Sequence, residues 1–327
     1  MLDERAIERL VAAAGYDPAT PVAVGVSSPS ISVFAAQGEA TEAGDFDCDS
    51  VGYAGSLAKQ VTGACAALLA QGGALDVEAP IADWLPELPP WAGLIRVRHL
   101  IHHTGGLPTT DAVWEEMTSA GESDWTSDGV IAALSKMDEL EQQPGDGYAY
   151  SNVGYICLAR IIERSSGNDL NTFVREHLFE PVQMRATTLW SGPASSPPNA
   201  ALAQPLGSPA PLSVGDGGLW TSVRDLLRWN EALLGDTLGV SDTLHTTGVL
   251  DDGTPLDYAW GVRVFRVGAK RAQSHGGGWE DATAKLVRLP DLGVSFAALA
   301  LDGSVERMTT LSSLLHDELF SSTTSSG

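Results

Sequence analysis

The chain has 327 residues, of which 43% are hydrophobic and 19% charged, a composition typical of a globular protein with one large core or two closely joined lobes. Its formal net charge of −23 argues against nucleic acid or an anionic membrane surface as a partner.

The N-terminal residues, MLDERAIERLVAAAGYDPAT, lack the basic start, apolar middle and small-residue cleavage site of a signal peptide. No apolar run reaches the roughly 18 residues of a membrane span. Three cysteines, Cys48, Cys65 and Cys157, are an odd number without metal-ligand spacing. Cys65 and Cys157 fall on apolar helical faces, which predicts buried reduced thiols. We therefore expect a cytoplasmic protein.

Hydrophobic periodicity predicts strands at both ends of the chain and helices between them. The predicted helices are 3–14, several from Ser56 to about 235 that include 149–168 and 219–236, and a last one at 304–320. The predicted strands are 21–27, 30–37, 258–267, 270–277, 282–290 and 293–302.

This order of elements predicts an α+β fold with one antiparallel sheet assembled from both termini. Residues 1–55 and 236–320 would form the sheet-containing lobe, joined by the helix that starts at 56. Residues 75–235 would form an inserted, mostly helical lobe, and 321–327 a disordered tail. The Pro-, Ser- and Ala-rich span 192–214 is too long for a simple connector and is predicted to cover a surface or a cleft.

Ser56 and Lys59 form a Ser-x-x-Lys pattern at the start of an alanine-rich helix. Residues three apart share one helix face, so the lysine amine can reach the serine hydroxyl and act as its base. Serine is also common at helix N-termini, and the short pattern by itself fits a capping residue. We expect Ser56 to serve as both cap and nucleophile.

Tyr150 and Asn152 stand two apart just before a predicted helix, and in extended backbone both can face one cleft. A tyrosine hydroxyl can relay a proton, and an asparagine amide can hold a substrate carbonyl. The alternative is that Asn152 caps the helix and Tyr150 packs in the core.

His275, Gly276, Gly277 and Gly278 end a predicted strand. Glycines permit close backbone approach, so a strand edge there can pair with an extended substrate. The Gly278 and Ser56 amides could together form an oxyanion hole. The alternative is a glycine-rich turn with an incidental histidine.

Two other chemistries are disfavoured. The histidines of RHLIHHTGGLP, His99, His102 and His103, have no acidic residue at ligand spacing, so no metal is expected. No Gly-x-Ser-x-Gly elbow is present for an α/β-hydrolase mechanism.

Taken in order, the Ser56/Lys59, Tyr150/Asn152 and His275-Gly-Gly motifs resemble the three signatures of the serine β-lactamase and penicillin-binding-protein family. The chain is most similar to its branch of class C β-lactamases, DD-peptidases, D-aminopeptidases and β-lactamase-like esterases. Framework segments such as IRVRHLIHHTGGLP and GDGGLWTSVRDLLRW extend the likeness over residues 20–318.

The resemblance implies an α/β lobe and an all-helical lobe with the site between them. It implies that Ser56 is the acylated nucleophile, Lys59 its base and Tyr150 the proton relay. Asn152 would contact the substrate, and the amides of Ser56 and Gly278 would form the oxyanion hole.

Two departures from the family pattern bear on specificity. His275 stands where true β-lactamases carry lysine, which disfavours β-lactam hydrolysis as the main activity. The segment GGGWEDATAK also lacks the Gly-Phe that usually follows the glycines, so an unusual pocket rim is expected.

The combined prediction is a serine hydrolase that acts through an acyl-enzyme on a small ester or amide, without cofactor or metal. An acyltransferase using the same acyl-serine and a non-catalytic binding protein on the same scaffold are the alternatives. The expected partner is a small-molecule substrate, with neither nucleic acid nor membrane, and homo-oligomerisation is left open.

Overall fold

The computed structural model describes residues 2–40, 44–203 and 209–324. Within them, no helix is long and apolar enough to cross a membrane. The α-helices are α1 (Glu4–Ala13), α2 (Ala58–Gln71), α3 (Val97–Ile101), α4 (Thr110–Ser119), α5 (Ser127–Leu134), α6 (Asn152–Ser166), α7 (Leu170–Val174), α8 (Val223–Leu234), α9 (Ser241–Leu244) and α10 (Val305–Thr324). The strands are β1 (Val22–Ser27), β2 (Ser32–Gln37), β3 (Glu39–Ala40), β4 (Gly44–Asp45), β5 (Gly52–Tyr53), β6 (Thr188–Leu189), β7 (Leu219–Thr221), β8 (Arg263–Val267), β9 (Lys270–Trp279), β10 (Ala282–Leu289) and β11 (Val294–Ala300).

The main sheet joins the two ends of the chain. Its six strands are ordered β2-β1-β11-β10-β9-β8, and every neighbouring pair is antiparallel. The N-terminal hairpin therefore pairs with the C-terminal strands through β1 and β11. The α+β prediction, with an antiparallel sheet built from both termini, is confirmed.

Helices cover both faces of this sheet because strand side chains alternate between them. Ala297 and Leu299 of β11 belong to a core that contains residues of α2, α6 and α8. Phe296 and Ala298 point the other way and pack with residues of α1 and α10. Burying each large side chain stabilises the fold by about 1.5–3 kcal/mol. Helix α8 packs against β11, and α6 packs against α2, so one continuous core joins the helical region to the sheet.

Helix α6 begins and ends as its sequence predicts. Ser151 is the N-cap, and its Oγ accepts a hydrogen bond from the Gly154 N–H over 3.0 Å. Gly167 follows the last turn with φ of 74°, a left-handed conformation that favours glycine.

The structure differs from the predictions at several element boundaries. The predicted strand 258–267 begins only at Arg263, because 258–262 turn against α2. There, an added Cβ on Gly261 would lie 2.1 Å from the Lys59 carbonyl oxygen. The short strands β6 and β7 lie within the block predicted as helical. Helix α10 continues to Thr324, into the predicted tail, and residues 325–327 lie outside the described residues.

The division into a sheet lobe (1–55 and 236–320) and a helical lobe (75–235) stays a prediction.

Cys48, Cys65 and Cys157 are buried and free, which confirms the prediction of reduced thiols for Cys65 and Cys157.

Candidate active site

Ser56 lies in a 3-10 turn, Gly55–Leu57, that joins β5 to α2. Gly55 has φ of 50°, in the left-handed region that favours glycine. The N-cap position of α2 is Leu57, and no side chain makes a capping hydrogen bond there. The prediction that Ser56 caps the helix is therefore wrong, since the tight turn places the serine one residue too early.

Lys59 is completely buried beside Ser56. Its Nζ donates a hydrogen bond to Ser56 Oγ over 3.1 Å. It also donates to Asn152 Oδ1 over 2.8 Å and to the backbone oxygen of Asp216 over 2.7 Å. Three acceptors match the three N–H groups of an ammonium, which would be costly to bury without them.

Tyr150 and Asn152 both adjoin Lys59. Because Ser151 caps α6, the alternative that Asn152 is the cap is wrong, and the Asn152 amide is available to Lys59. Tyr150 is 45% exposed and so is not a core residue. Its ring centroid lies 4.8 Å from Lys59 Nζ. The structure thus brings together the four side chains that the first two motifs predicted.

His275 is buried at the same site and held in one tautomer. Its Nδ1 lies 2.6 Å from the backbone oxygen of Gly276, and its Nε2 lies 3.0 Å from the Tyr258 hydroxyl. A carbonyl oxygen only accepts, so Nδ1 carries the proton and Nε2 accepts from Tyr258. Burial, followed by the positive charge of Lys59, lowers the pKa of His275 to about 3. At neutral pH this position therefore carries no charge.

The segment Gly276–Gly278 lies inside β9 rather than beyond its end, so the alternative of a glycine-rich turn is wrong. One edge of the segment pairs with β10. Strand β8 pairs with β9 only as far as Ser274, which leaves the other edge of the segment without a strand partner among the described residues. This edge borders the same cleft as Ser56 and can accept an extended substrate.

The Ser56 turn and β9 approach each other closely because both carry glycine at the contact. An added Cβ on Gly277 would lie 1.9 Å from the Ala54 carbonyl oxygen and 3.1 Å from the Ser56 nitrogen. An added Cβ on Gly55 would lie 2.7 Å from the Gly278 nitrogen. The backbone amides of Ser56 and Gly278 thus flank a single contact, as two oxyanion donors must.

This contact predicts a sharp difference between two neighbouring glycines. Gly277→Ala is expected to lower the free energy of unfolding by about 1–3 kcal/mol, because its methyl group would overlap the Ala54 carbonyl. Gly276→Ala is the matched control, since its methyl group would meet nothing nearer than the Ala284 oxygen at 3.7 Å. Urea unfolding of both variants checks the prediction, and equal stabilities would contradict it.

His103 belongs to the histidine cluster for which the sequence predicted no metal, and in the structure it contacts Ser151 and Tyr150 of the site. Its Nδ1 accepts the Ser151 N–H over 3.1 Å, and its ring centroid lies 4.4 Å from that of Tyr150. Burial lowers its pKa well below the ordinary value, so the ring is neutral. The residues that the structure describes contain no group of three or more His, Cys, Asp or Glu side chains able to hold a metal.

Asp216 is a second residue that the motifs missed, although it stands in the framework segment GDGGL. Its carboxylate Oδ1 accepts from Ser213 Oγ over 2.8 Å, and the side chain is nearly fully buried. Burial raises the pKa of Asp216, while the positive charge of Lys59 acts in the opposite direction. An acidic group is therefore enclosed beside the candidate nucleophile.

Two spaces adjoin Ser56. A small cavity of about 90 Å³ is shared with Asn152 and Asp216. A larger, open cleft of about 580 Å³ is shared with Tyr150 and with Lys285 of β10. Lys285 has no acidic partner among the described residues, so the larger cleft is cationic where the small cavity is acidic.

The predicted covering span 192–214 reaches the small cavity. Pro211 and Trp125 both line it, and the Leu212 N–H donates to the Trp125 oxygen over 3.0 Å. The Trp279 indole, also on the cavity wall, donates to the Pro209 oxygen over 3.0 Å. Residues 204–208 of the span lie outside the described residues.

Residues 13–308 match the family model described as Beta-lactamase. Penicillin-binding protein 4* of Bacillus subtilis (strain 168) is 28% identical over 281 residues, which cover 77% of this chain and 61% of the relative. The D-aminopeptidase of Brucella canis is 27% identical over 243 residues, covering 68% of this chain and 45% of the relative. The chain therefore spans about half the length of the curated relatives that it matches.

Solved structures share the fold over nearly the whole chain. The D-amino acid amidase from Ochrobactrum anthropi SV3, complexed with L-phenylalanine amide, superposes with a TM-score of 0.77 at 20% identity, covering 96% of this chain and 98% of that one. The octameric penicillin-binding protein homologue from Pyrococcus abyssi gives 0.77 at 19% identity, covering 96% of this chain and 77% of that one. At such identities the likeness shows the fold alone.

Proposed function

This chain belongs to the Beta-lactamase family, and on that premise we propose that it is a serine hydrolase that cleaves a small amide or ester through an acyl-enzyme on Ser56. The observation that carries the proposal is the buried Lys59 Nζ, 3.1 Å from Ser56 Oγ. A hydroxyl needs an adjacent base to become a nucleophile, and Lys59 is the basic side chain that contacts it.

In the proposed acylation, the Lys59 ammonium first releases one proton to solvent. Ser56 Oγ then attacks the substrate carbonyl carbon, and its proton passes to the Lys59 amine. The carbonyl π electrons move to oxygen, where the amides of Ser56 and Gly278 stabilise the negative charge. As the bond to the leaving group breaks, the amine or alcohol takes a proton through Tyr150, and Lys59 restores the proton to Tyr150.

Deacylation reverses these proton movements. Tyr150 and Lys59 take a proton from water, the hydroxide adds to the acyl carbon, and the ester bond to Ser56 Oγ breaks. The proton returns to Ser56 Oγ, the acid is released, and the protein is regenerated without any cofactor.

An amide substrate has the support of the D-aminopeptidase relative, whose name describes cleavage after an amino-terminal residue. The neutral His275 supports a substrate other than a β-lactam, since it offers no cation to a substrate carboxylate. Hydrolysis is favoured over acyl transfer because Tyr150 is 45% exposed, so water reaches the proton relay. A cytoplasmic location stays a prediction, and homo-oligomerisation stays open.

Covalent labelling tests the nucleophile. Incubation with a fluorophosphonate is expected to add one phosphonyl group to the protein, detected by intact mass and located on the peptide that contains Ser56. Ser56→Ala is expected to show no adduct, while Ser30→Ala, at an exposed serine, is expected to label normally. The proposal would be contradicted if the wild-type protein were not labelled, or if the adduct persisted in Ser56→Ala.

A further inference from the structure

His103, which packs against Tyr150, has a strained backbone. Its φ is 58°, in the left-handed region that residues other than glycine adopt at a cost. Its side chain is 2% exposed, and its Nε2 has no hydrogen-bond partner among the described residues. Both features lower stability, and strained residues of this kind are concentrated at functional sites. The conformation of His103 therefore calls for a functional explanation.

Two hydrogen bonds attach the backbone on either side of Tyr150 to His103. The Ala149 N–H donates to the His103 backbone oxygen over 2.8 Å. The Ser151 N–H donates to His103 Nδ1 over 3.1 Å. Residues 149–151 belong to neither a helix nor a strand, so no regular secondary structure fixes the backbone there. The position of the Tyr150 backbone therefore depends on His103.

The imidazole ring of His103 also packs against the Tyr150 ring, with 4.4 Å between the two centroids. Two further rings contact the imidazole, Tyr258 at 4.5 Å and Tyr155 at 5.0 Å between centroids, and both are fully buried. An exposed side chain changes rotamer within picoseconds to nanoseconds. Packing against a buried, rigid stack of rings restricts the half-exposed Tyr150 to one orientation.

Histidine combines three properties that this position requires. It tolerates a positive φ better than most residues, its neutral ring has an acceptor nitrogen, and its ring stacks on an aromatic neighbour. Asparagine has the first two properties but no ring, and phenylalanine has only the ring. The three contacts of His103 can therefore be removed separately.

We propose that His103 is a positioning residue for the proton relay, and that it holds the Tyr150 hydroxyl where the leaving group departs. This inference rests on the proposed acyl-enzyme function, in which Tyr150 protonates the leaving group. Ser56 gives its own proton to Lys59, so a change at His103 should slow only the steps that pass through Tyr150. Substrates whose leaving group needs a proton should be affected most.

Two acetate esters of nearly equal shape separate these steps. The p-nitrophenolate ion leaves p-nitrophenyl acetate readily without a proton, whereas the more basic phenolate of phenyl acetate leaves faster when it is protonated. In His103→Asn, kcat/KM for phenyl acetate is expected to fall about 10-fold or more, since a misplaced general acid loses part of its contribution. The kcat/KM for p-nitrophenyl acetate, which reports the same acylation step, should change by less than about 3-fold.

Tyr150→Phe is the reference, because it removes the relay hydroxyl and should show the same selective loss. The double variant Tyr150→Phe/His103→Asn should lose no more activity than Tyr150→Phe alone, since His103 acts through Tyr150. His102→Asn is the matched control at the neighbouring histidine, whose ring contacts Trp260. It should keep the wild-type ratio of the two kcat/KM values.

A loss in His103→Asn that is absent, or equal for the two esters, would overturn the positioning role, as would a further loss in the double variant. His103→Phe keeps a ring in the stack but offers no acceptor to the Ser151 N–H. It should show the same selective loss, and it carries the test if His103→Asn does not fold. A wild-type protein that cleaves neither ester would instead count against the proposed function itself, and with it this inference.

Discussion

Ser56→Ala, Lys59→Met and the double variant are each expected to lower kcat/KM for an activated amide or ester by about 10⁴-fold or more. Ser56 Oγ and Lys59 Nζ are joined by a hydrogen bond and act as one unit, so losing either removes the same chemical step. The losses should therefore not multiply in the double variant. Steady-state kinetics on the three proteins, with circular dichroism to verify folding, checks this.

Lys136→Met provides the control for loss of a lysine, because Lys136 is half exposed and pairs with Glu116 on the surface. It should retain wild-type kcat/KM. Lys59→Met will also be less stable by about 1–3 kcal/mol, since Asn152 and Asp216 lose their buried donor. A double variant whose loss equals the product of the two single losses would show that Lys59 does not serve Ser56.

The second large effect is on stability at acid pH. Between pH 7.5 and 5.5 the free energy of unfolding is expected to fall by about 4 kcal/mol or more. Three histidines are almost fully buried: His99, His103 and His275. Burial lowers the pKa of His99 to about 4 and of His275 to about 3, and places that of His103 well below its ordinary value.

The free energy of unfolding falls with pH because the unfolded chain binds more protons than the folded protein. Unfolded imidazoles take up protons near pH 6.5, while the folded ones stay neutral to much lower pH, so acid favours the unfolded chain. The stability that comes from burying these histidines in the neutral form is fully present above pH 6.5. It is lost as the pH falls from there toward the folded-state pKa values. Each fully buried histidine contributes about 1.4 kcal/mol over this window. His102 and His245, whose pKa values burial lowers to about 4 and about 3, act in the same direction.

Urea unfolding at half-unit pH intervals measures this dependence. His245→Gln should reduce the number of protons taken up on unfolding, which sets the slope of the profile, by up to about one. The reason is that glutamine keeps an acceptor for the Arg288 guanidinium but does not titrate. His177→Gln, at an exposed histidine, should leave the slope unchanged. A profile that is flat between pH 7.5 and 5.5 would contradict the buried neutral histidines.

One departure from the family pattern, His275, changes the electrostatics of the site. His275 removes the cation that relatives place on this strand, and its tautomer is held by Tyr258 and the strand backbone. This position beside Ser56 therefore carries no charge at neutral pH.

Short-range features were determined by the sequence alone. The Ser56/Lys59 pair could be predicted because a spacing of three on a helical turn brings two side chains together wherever the helix lies. The six main strands could be predicted because each is a short run rich in apolar and β-branched residues that is bounded by turn residues. The antiparallel sheet follows from their distribution at both ends of the chain. The order of the three motifs along the chain then identified Ser56 as the candidate nucleophile.

Only the tertiary structure decided the contacts made by backbone groups and by distant side chains. The sequence does not show that the Asp216 carbonyl oxygen accepts from Lys59 while its carboxylate accepts from Ser213, because every residue has a carbonyl and only the fold selects one. It also does not show that Ser151, and not Ser56 or Asn152, is the capping residue, since capping depends on where each helix begins to within one residue. These hydrogen-bond partners and helix caps depend on long-range packing, which local sequence patterns do not predict.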